Sequence, residues 1–414
     1  MLDHFANFRH QTLDRRHSIL CALLVILFLC TESIAGTADP DVRKALARSA
    51  GFSADEIAAV ERGEPVTKLI QANDPREVAV CGAIELPSEP ESALKAFQLS
   101  LSLKQKSVLA SGKFSELPRL EDLGSLTLSD GDIDDLKMCT VGKCKLKLSA
   151  AMIQRFQRNI DWNAIDYKEQ INQLFRLVLL EYVTAYLQRG DAALIEYADQ
   201  DARVSLAREQ ESLLASLPYL NEVVPEFVRD LKAFPQSSAS VEHSLSWANI
   251  NFGLKPVVVI TDTATYRPAV DGVPRLVVLA KQIYANHYFD ASLSMTALIG
   301  DRSGTTSNLL YVNRSRASSL ASLFSNFKHQ IVEGRAIREV NDLLGQTRLN
   351  VDVVVNNSSL SSQPTWAERS TQTPFILRIL GWSVLFKLIG TLLFFKFRSK
   401  LPRFRKAAPG SQSA

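Results

Sequence analysis

"KPVVVITDTATYRPAVDGVPRLVVLAKQIYANHYFDASLSMTALIG", Lys255 to Gly300, carries three runs of Val, Ile, Thr and aromatic residues divided by Pro, Gly and Asp. β-Branched and aromatic side chains suit a pleated surface and the breakers interrupt it, so the stretch predicts consecutive strands that fold back on one another. "VEHSLSWANINFG" before it and "SNLLYVNRS" after it extend the pattern to an antiparallel meander of five strands.

Within the meander, "KQIYANHYF" sets polar groups among aromatic ones. Alternation places Lys281, Ile283, Ala285, His287 and Phe289 on one face and Gln282, Tyr284, Asn286 and Tyr288 on the other. Lys281, Tyr284, His287 and Tyr288 are therefore candidate ligand-binding residues, the tyrosine hydroxyls orienting a head group. The plainer alternative is that they are core or solvent-facing side chains of a strand. His287 as a general base requires a partner and none is evident nearby, so no catalytic residue is assigned. Arg314, in "YVNRSR" at the end of the last strand, is a candidate cation for an anionic head group; the plainer role is to satisfy the turn that follows.

Upstream, "EPVTKLI" and "EVAVCGAIEL" read as strands and "PSEPESALKAFQ" as a helix entered through prolines and acids. Residues 36–64 form an N-terminal helical segment, two short helices broken at Gly51, the second with Ser53 and Glu56 spaced as a capping box. Val108–Phe114 and Leu123–Leu128 are expected to pair as strands, and "LSDGDIDDLKM" to turn helical. Residues 149–234 form a helical block whose best part, Ala164 to Gln188, repeats Ile165, Ile171, Leu174, Phe175, Val178, Tyr182 and Tyr186 at three- and four-residue spacing. A final helix from Ala317 to about Leu344 carries Leu320, Leu323, Phe327, Ile331, Val340 and Leu344 in one stripe. Residues 351–373, rich in Ser, Thr, Asn and Gln, read as a linker.

Both ends suggest targeting. Arg9, Arg15, Arg16 and His17 precede "SILCALLVILFLC" and a small-residue stretch, the layout of a signal peptide over residues 1–35. "FILRILGWSVLFKLIGTLLFFKF", Phe375 to Phe397, has the length of a spanning helix, expected over 374–397. Arg378 and Lys387, nine residues apart, fall on opposite sides of such a helix, which leaves no single polar face to lie along an interface. The basic tail 398–414 is expected to be cytoplasmic by the positive-inside rule. The expectation is a single-pass protein of a bacterial inner membrane with its main domain periplasmic and the lipid bilayer as a partner. In that oxidising space Cys139 and Cys144 of "MCTVGKC" are expected to form a disulfide.

Several chemistries lack their motifs. His243, His287 and His329 are far apart with no HExxH spacing, and no GxSxG, P-loop or GxGxxG pattern occurs. "DGDIDD" from Asp130 has Asp135 where a calcium loop has its glycine and Val141 where it has its glutamate, so it reads as an acidic helix N-terminus. No metal or cofactor is expected, and a net charge of +3, partly from the basic termini, does not argue for nucleic acid.

Strand, helix, further strands, a helical block, an antiparallel meander and a long closing helix, in that order, resemble the helix-grip fold of the START and birch-pollen-allergen-like superfamily. "VAVCGAIELPSEPESALKAF" carries the most local likeness, and residues 65–350 would form the domain. "KQIYANHYF" and "NRSR" are also similar to segments of uncharacterised exported bacterial proteins. The resemblance implies an α+β domain whose curved antiparallel sheet wraps the C-terminal helix and leaves an interior cavity for a hydrophobic or lipid-like ligand. Binding without catalysis is the expected function. A scaffold docking a membrane protein partner, or a cyclase- or hydrolase-like enzyme on the same fold, are the alternatives.

Overall fold

The computed structural model describes residues 51–103, 107–236, 238–251, 255–270, 273–321 and 325–360, with Arg43, Leu46 and Ala47. The signal segment, the spanning segment and the basic tail lie outside the described residues. Among the described residues no helix is long and apolar enough to cross a membrane.

The protein is an α+β fold built on one nine-stranded antiparallel sheet. Helix α1 (Ala54–Glu61) opens with the capping box read from the sequence: the Ser53 hydroxyl accepts from Glu56 N–H, and the Glu56 carboxylate accepts from Ser53 N–H. Then come β1 (Val66–Leu69), β2 (Glu77–Leu86), helix α2 (Pro90–Leu103) and β3 (Val108–Lys113). The meander follows the helical block as β6 (Val241–Ile250), β7 (Val257–Tyr266), β8 (Ala269–Val270), β9 (Val273–Ala285), β10 (Ala291–Gly300) and β11 (Ser307–Arg316). The sheet runs β1-β2-β11-β10-β9-β7-β6-β3, with β8 attached to β9.

The closing helix α9 (Ser325–Leu360) crosses β2 at Gly82. A Cβ there would lie 2.6 Å from Val340 Cγ1 and 2.8 Å from Leu344 Cδ1, so only glycine admits the helix this closely. Phe97 and Leu101 of α2 and Val340, Leu343 and Leu344 of α9 share one apolar core with Val80, Ile84 and Leu309 of the sheet.

Helix α3 (Asp130–Lys137) precedes the helical block, which contains α4 (Ala150–Asn159), α5 (Tyr167–Arg189), the small hairpin of β4 (Glu196–Tyr197) and β5 (Val204–Ser205), α6 (Leu206–Ala215), α7 (Pro218–Val223) and α8 (Pro225–Ala233). Helix α5 buries Ile171, Phe175, Tyr182 and Tyr186, as their spacing requires. It covers the other face of the sheet, where the Phe175 and Tyr182 rings meet Tyr284 at 6.5 and 6.2 Å. With helices on both faces, every residue of β10 and β11 is buried.

Four expectations are corrected. Leu123–Leu128 is not a strand: Leu120–Leu123 is a 3-10 turn, and the turn and the chain after it accept side-chain hydrogen bonds, Trp247 donating to Asp122 O and Asn249 to Thr127 O, while β3 pairs with β6. Ile165 lies outside α5 and is fully exposed. The last helix begins at Ser325 rather than Ala317, after a 3-10 turn at Ser318–Ala321. It also continues through the first ten residues of the expected linker, 351–360, where Val351 is buried; just before them Asn350 donates to the Ser100 hydroxyl of α2 at 2.8 Å.

Cys139 and Cys144 form the expected disulfide, five residues apart. Cys81 is a buried free thiol in β2, its pKa pushed far up by desolvation.

Candidate functional site

The five residues singled out in sequence do not share one wall. The first cause is a β-bulge: in the β7–β9 register Tyr284 pairs with Ile260 and Gln282 with Thr261, so strict alternation fails between them. Lys281 and Tyr284, assigned to opposite faces by alternation, both turn toward α5. Lys281 Nζ lies 5.2 Å over the Tyr186 ring, and Tyr284 sits among Phe175, Tyr182 and Tyr197.

Tyr284 is fully buried, and its hydroxyl has no hydrogen-bond partner among the described residues. His287 lies beyond the end of β9 and does have a partner: its Nε2 is 2.9 Å from Asp132 Oδ1. Asp132 belongs to the "DGDIDD" run and also meets Lys255 Nζ at 3.1 Å. The His287–Asp132 pair spans 155 residues and had no local signal. Tyr288 follows in a left-handed backbone conformation with φ of 60°, and burial pushes its pKa up to about 12. Arg314 does not stand free for a ligand head group. It is buried and pairs with Glu77, which also receives Arg316 at 2.8 Å.

Among the described residues, the space between α2 and the sheet is about 50 Å³, room for a few water molecules rather than a lipid. Its sheet wall includes Thr263, Thr265, Ser294, Thr296 and Tyr311, so it is also lined by hydroxyls. The hollow was expected between the sheet and the closing helix, and at β2 that helix packs closely, with Val340 and Leu344 against Gly82.

A larger cleft, about 380 Å³, opens on the opposite side of the sheet. Leu279 of β9 and Leu293 of β10 form its floor, Leu214 of α6 and Leu231 of α8 its walls. Helix α6 is held to the sheet by Gln210, whose side-chain amide donates to the carbonyls of Gln282 at 2.6 Å and Ser292 at 3.1 Å. On the far side of α6, Glu209 accepts from Arg76 at 3.0 Å and Arg316 at 2.8 Å. The cleft wall is thus fixed by polar bonds at both edges.

Lys281 lines this cleft with Asp191, its Nζ 2.6 Å from Asp191 Oδ1. Asp191 is placed by Gly190, which ends α5 at φ of +57° and lies so close to Phe234 that a Cβ would be 2.0 Å from that residue's carbonyl oxygen. Behind Lys281, the buried Asp262 accepts from the Tyr186 hydroxyl at 2.7 Å and from His243 Nδ1 at 3.0 Å. Burial alone would raise the Asp262 pKa. His243, Lys281 and Tyr186 outweigh that and hold it below its ordinary value of 3.8. Asp132 is lowered in the same way, burial opposed by His287 and Lys255, and Asp74 chiefly by Arg76.

These shifts set an acid limit on the fold. A carboxyl with a depressed folded pKa contributes stability that is complete above its unfolded pKa and is lost as pH falls through the folded value. The urea midpoint is expected to hold from pH 7 to about 5 and to fall steeply below about 4. The Asp262→Asn variant should show a smaller drop between those two pH values than the wild type. An unchanged drop would remove Asp262 from this account.

Among the described residues no group of three or more His, Cys, Asp or Glu side chains could hold a metal ion. Comparisons with protein-family models, with curated proteins and with solved structures find no match.

Proposed function

We propose that this chain is an exported, membrane-tethered binding module that holds a small amphiphile, without transforming it, in the cleft between α6, α8 and the β9–β10 face of the sheet. The observation that carries this reading is the cleft itself: about 380 Å³, floored and walled by Leu214, Leu231, Leu279 and Leu293, with a charged pair at one side. Ligand pockets run from about 300 to 1,000 Å³, so this one suits a single-chain molecule rather than a two-chain lipid. The order of elements and the long helix laid across β2 support kinship with the helix-grip fold. On that reading the helical block has moved the binding surface to the reverse side of the sheet. The N-terminal apolar run, the stretch from Phe375 to Phe397 with its basic flank, and the Cys139–Cys144 bond support export and tethering. His287 and Asp132 are not among the residues that line the cleft, which favours binding over an enzyme reading.

A scaffolding role has one observation in its favour. Leu120, Ile160, Leu174 and Leu177 line an open groove of about 700 Å³ on the helical block, a surface that a protein partner could cover.

The test is photolabelling of the full-length protein in membranes with a neutral twelve-carbon alcohol bearing a diazirine, followed by peptide mapping. Label is expected on the peptides that hold Leu214, Leu231, Leu279 and Leu293. Leu293→Trp, which fills the floor, is expected to reduce it about tenfold. Labelling confined to other peptides, or unaffected by the substitution, would overturn the proposal.

A further inference from the structure

We infer that the ligand's head group is a carboxylate, seated on Lys281 in exchange for Asp191. This rests on the cleft being the binding site. Lys281 is a buried cation, only 8% exposed, that lines the cleft beside the Leu279 and Leu293 floor. A charge so placed is stable only with a partner. Asp262, opposite it in the β7–β9 register, already accepts from Tyr186 and His243. Asp191 is the partner whose hydrogen bond to Nζ is short and direct, at 2.6 Å.

The two members of that pair differ in their access to water. The Asp191 side chain is 41% exposed and that of Lys281 is 10% exposed. Asp191 can therefore leave Nζ and rehydrate at little cost, as exposed carboxylates do. Lys281, a tenth exposed, feels Asp262 across the β7–β9 register but makes its direct charged hydrogen bond to Asp191, so the group that best replaces Asp191 is another anion. A carboxylate on an apolar chain fits both requirements: its oxygens replace those of Asp191 while its chain covers Leu279 and Leu293. The charge around the cleft agrees, with Arg208, Lys232 and Lys281 set against Asp191 and Glu211. A quaternary ammonium head would meet Lys281 as a like charge, and an uncharged hydroxyl would not replace the direct charged hydrogen bond lost once Asp191 was displaced.

The experiment is competition against the same diazirine alcohol in membranes, using dodecanoate and dodecanol as competitors at pH 8. On the wild type, dodecanoate is expected to compete about tenfold better than dodecanol. Asp191→Asn removes the resident anion and should widen the preference for dodecanoate over dodecanol about tenfold further. Lys281→Met should bring the two competitors level. If acid and alcohol compete equally on both the wild type and Asp191→Asn, the carboxylate assignment is overturned while the cleft stands. If neither competes and the probe does not label the cleft, the binding site itself is wrong.

Discussion

Replacement of Asp290 by alanine is expected to lower folding stability by about 3–5 kcal/mol, the range for breaking a buried ion pair by removing one partner. Asp290 has no solvent exposure. Its Oδ1 is 2.8 Å from Lys147 Nζ, its Oδ2 accepts the Ser318 hydroxyl at 2.6 Å, and Arg76 Nη1 lies 3.7 Å away. Lys147 is itself buried, with its ammonium 4.6 Å over the Tyr197 ring and 3.9 Å from Asp199. Deleting Asp290 strands this cation with one distant carboxylate and a ring face, neither of which replaces a direct charged hydrogen bond. The turn between β9 and β10 would also lose its tie to the chain leading into α9. Lys147→Met added to Asp290→Ala should recover part of the loss, because removing both charges costs less than isolating one. The check is urea unfolding of the wild type and these two variants. A loss below about 0.5 kcal/mol in the single variant would show the cluster to be loosely hydrated rather than buried.

This cluster also shows where sequence reading reached its limit. The strands themselves were legible: β2 runs from Glu77 to Leu86, the run read as a strand, because its β-branched residues are bounded by turn residues. Helix α3 was legible from its own terminus, where the Ser129 hydroxyl accepts from Asp132 N–H at 3.2 Å. These signals are local. The Glu77–Arg314 pair is separated by 237 residues, and the Lys147–Asp290 pair by 143. No spacing rule relates such positions. The bulge near Gln282 is a property of two strands taken together, so alternation along one of them assigned Lys281 and Tyr284 to opposite faces. Covering both faces of the sheet erased the contrast between inward and outward residues. For that reason the polar run Thr261, Thr263 and Thr265 of β7 did not announce that it too would be buried.

Tyr284 separates a packing role from a ligand role through two substitutions expected to act in opposite directions. Tyr284→Ala should cost about 3–5 kcal/mol, because the ring is fully buried at the centre of Phe175, Tyr182 and Tyr197 and its removal leaves a cavity that rigid neighbours cannot fill. The hydroxyl contributes nothing of that kind. It is buried without a hydrogen-bond partner among the described residues, and such a group costs about 1–3 kcal/mol in lost hydration. Tyr284→Phe keeps the ring and deletes the stranded oxygen, so it should leave stability unchanged or raise it by about 1 kcal/mol. Were the hydroxyl instead aimed at a ligand, Tyr284→Phe would weaken dodecanoate binding and leave the unfolding midpoint of the empty protein where it was. Thermal unfolding and the competition assay on the same two variants decide between these outcomes. A stable Tyr284→Phe protein that binds as the wild type does would place Tyr284 in the core beside the cleft and leave Lys281 as its polar contact.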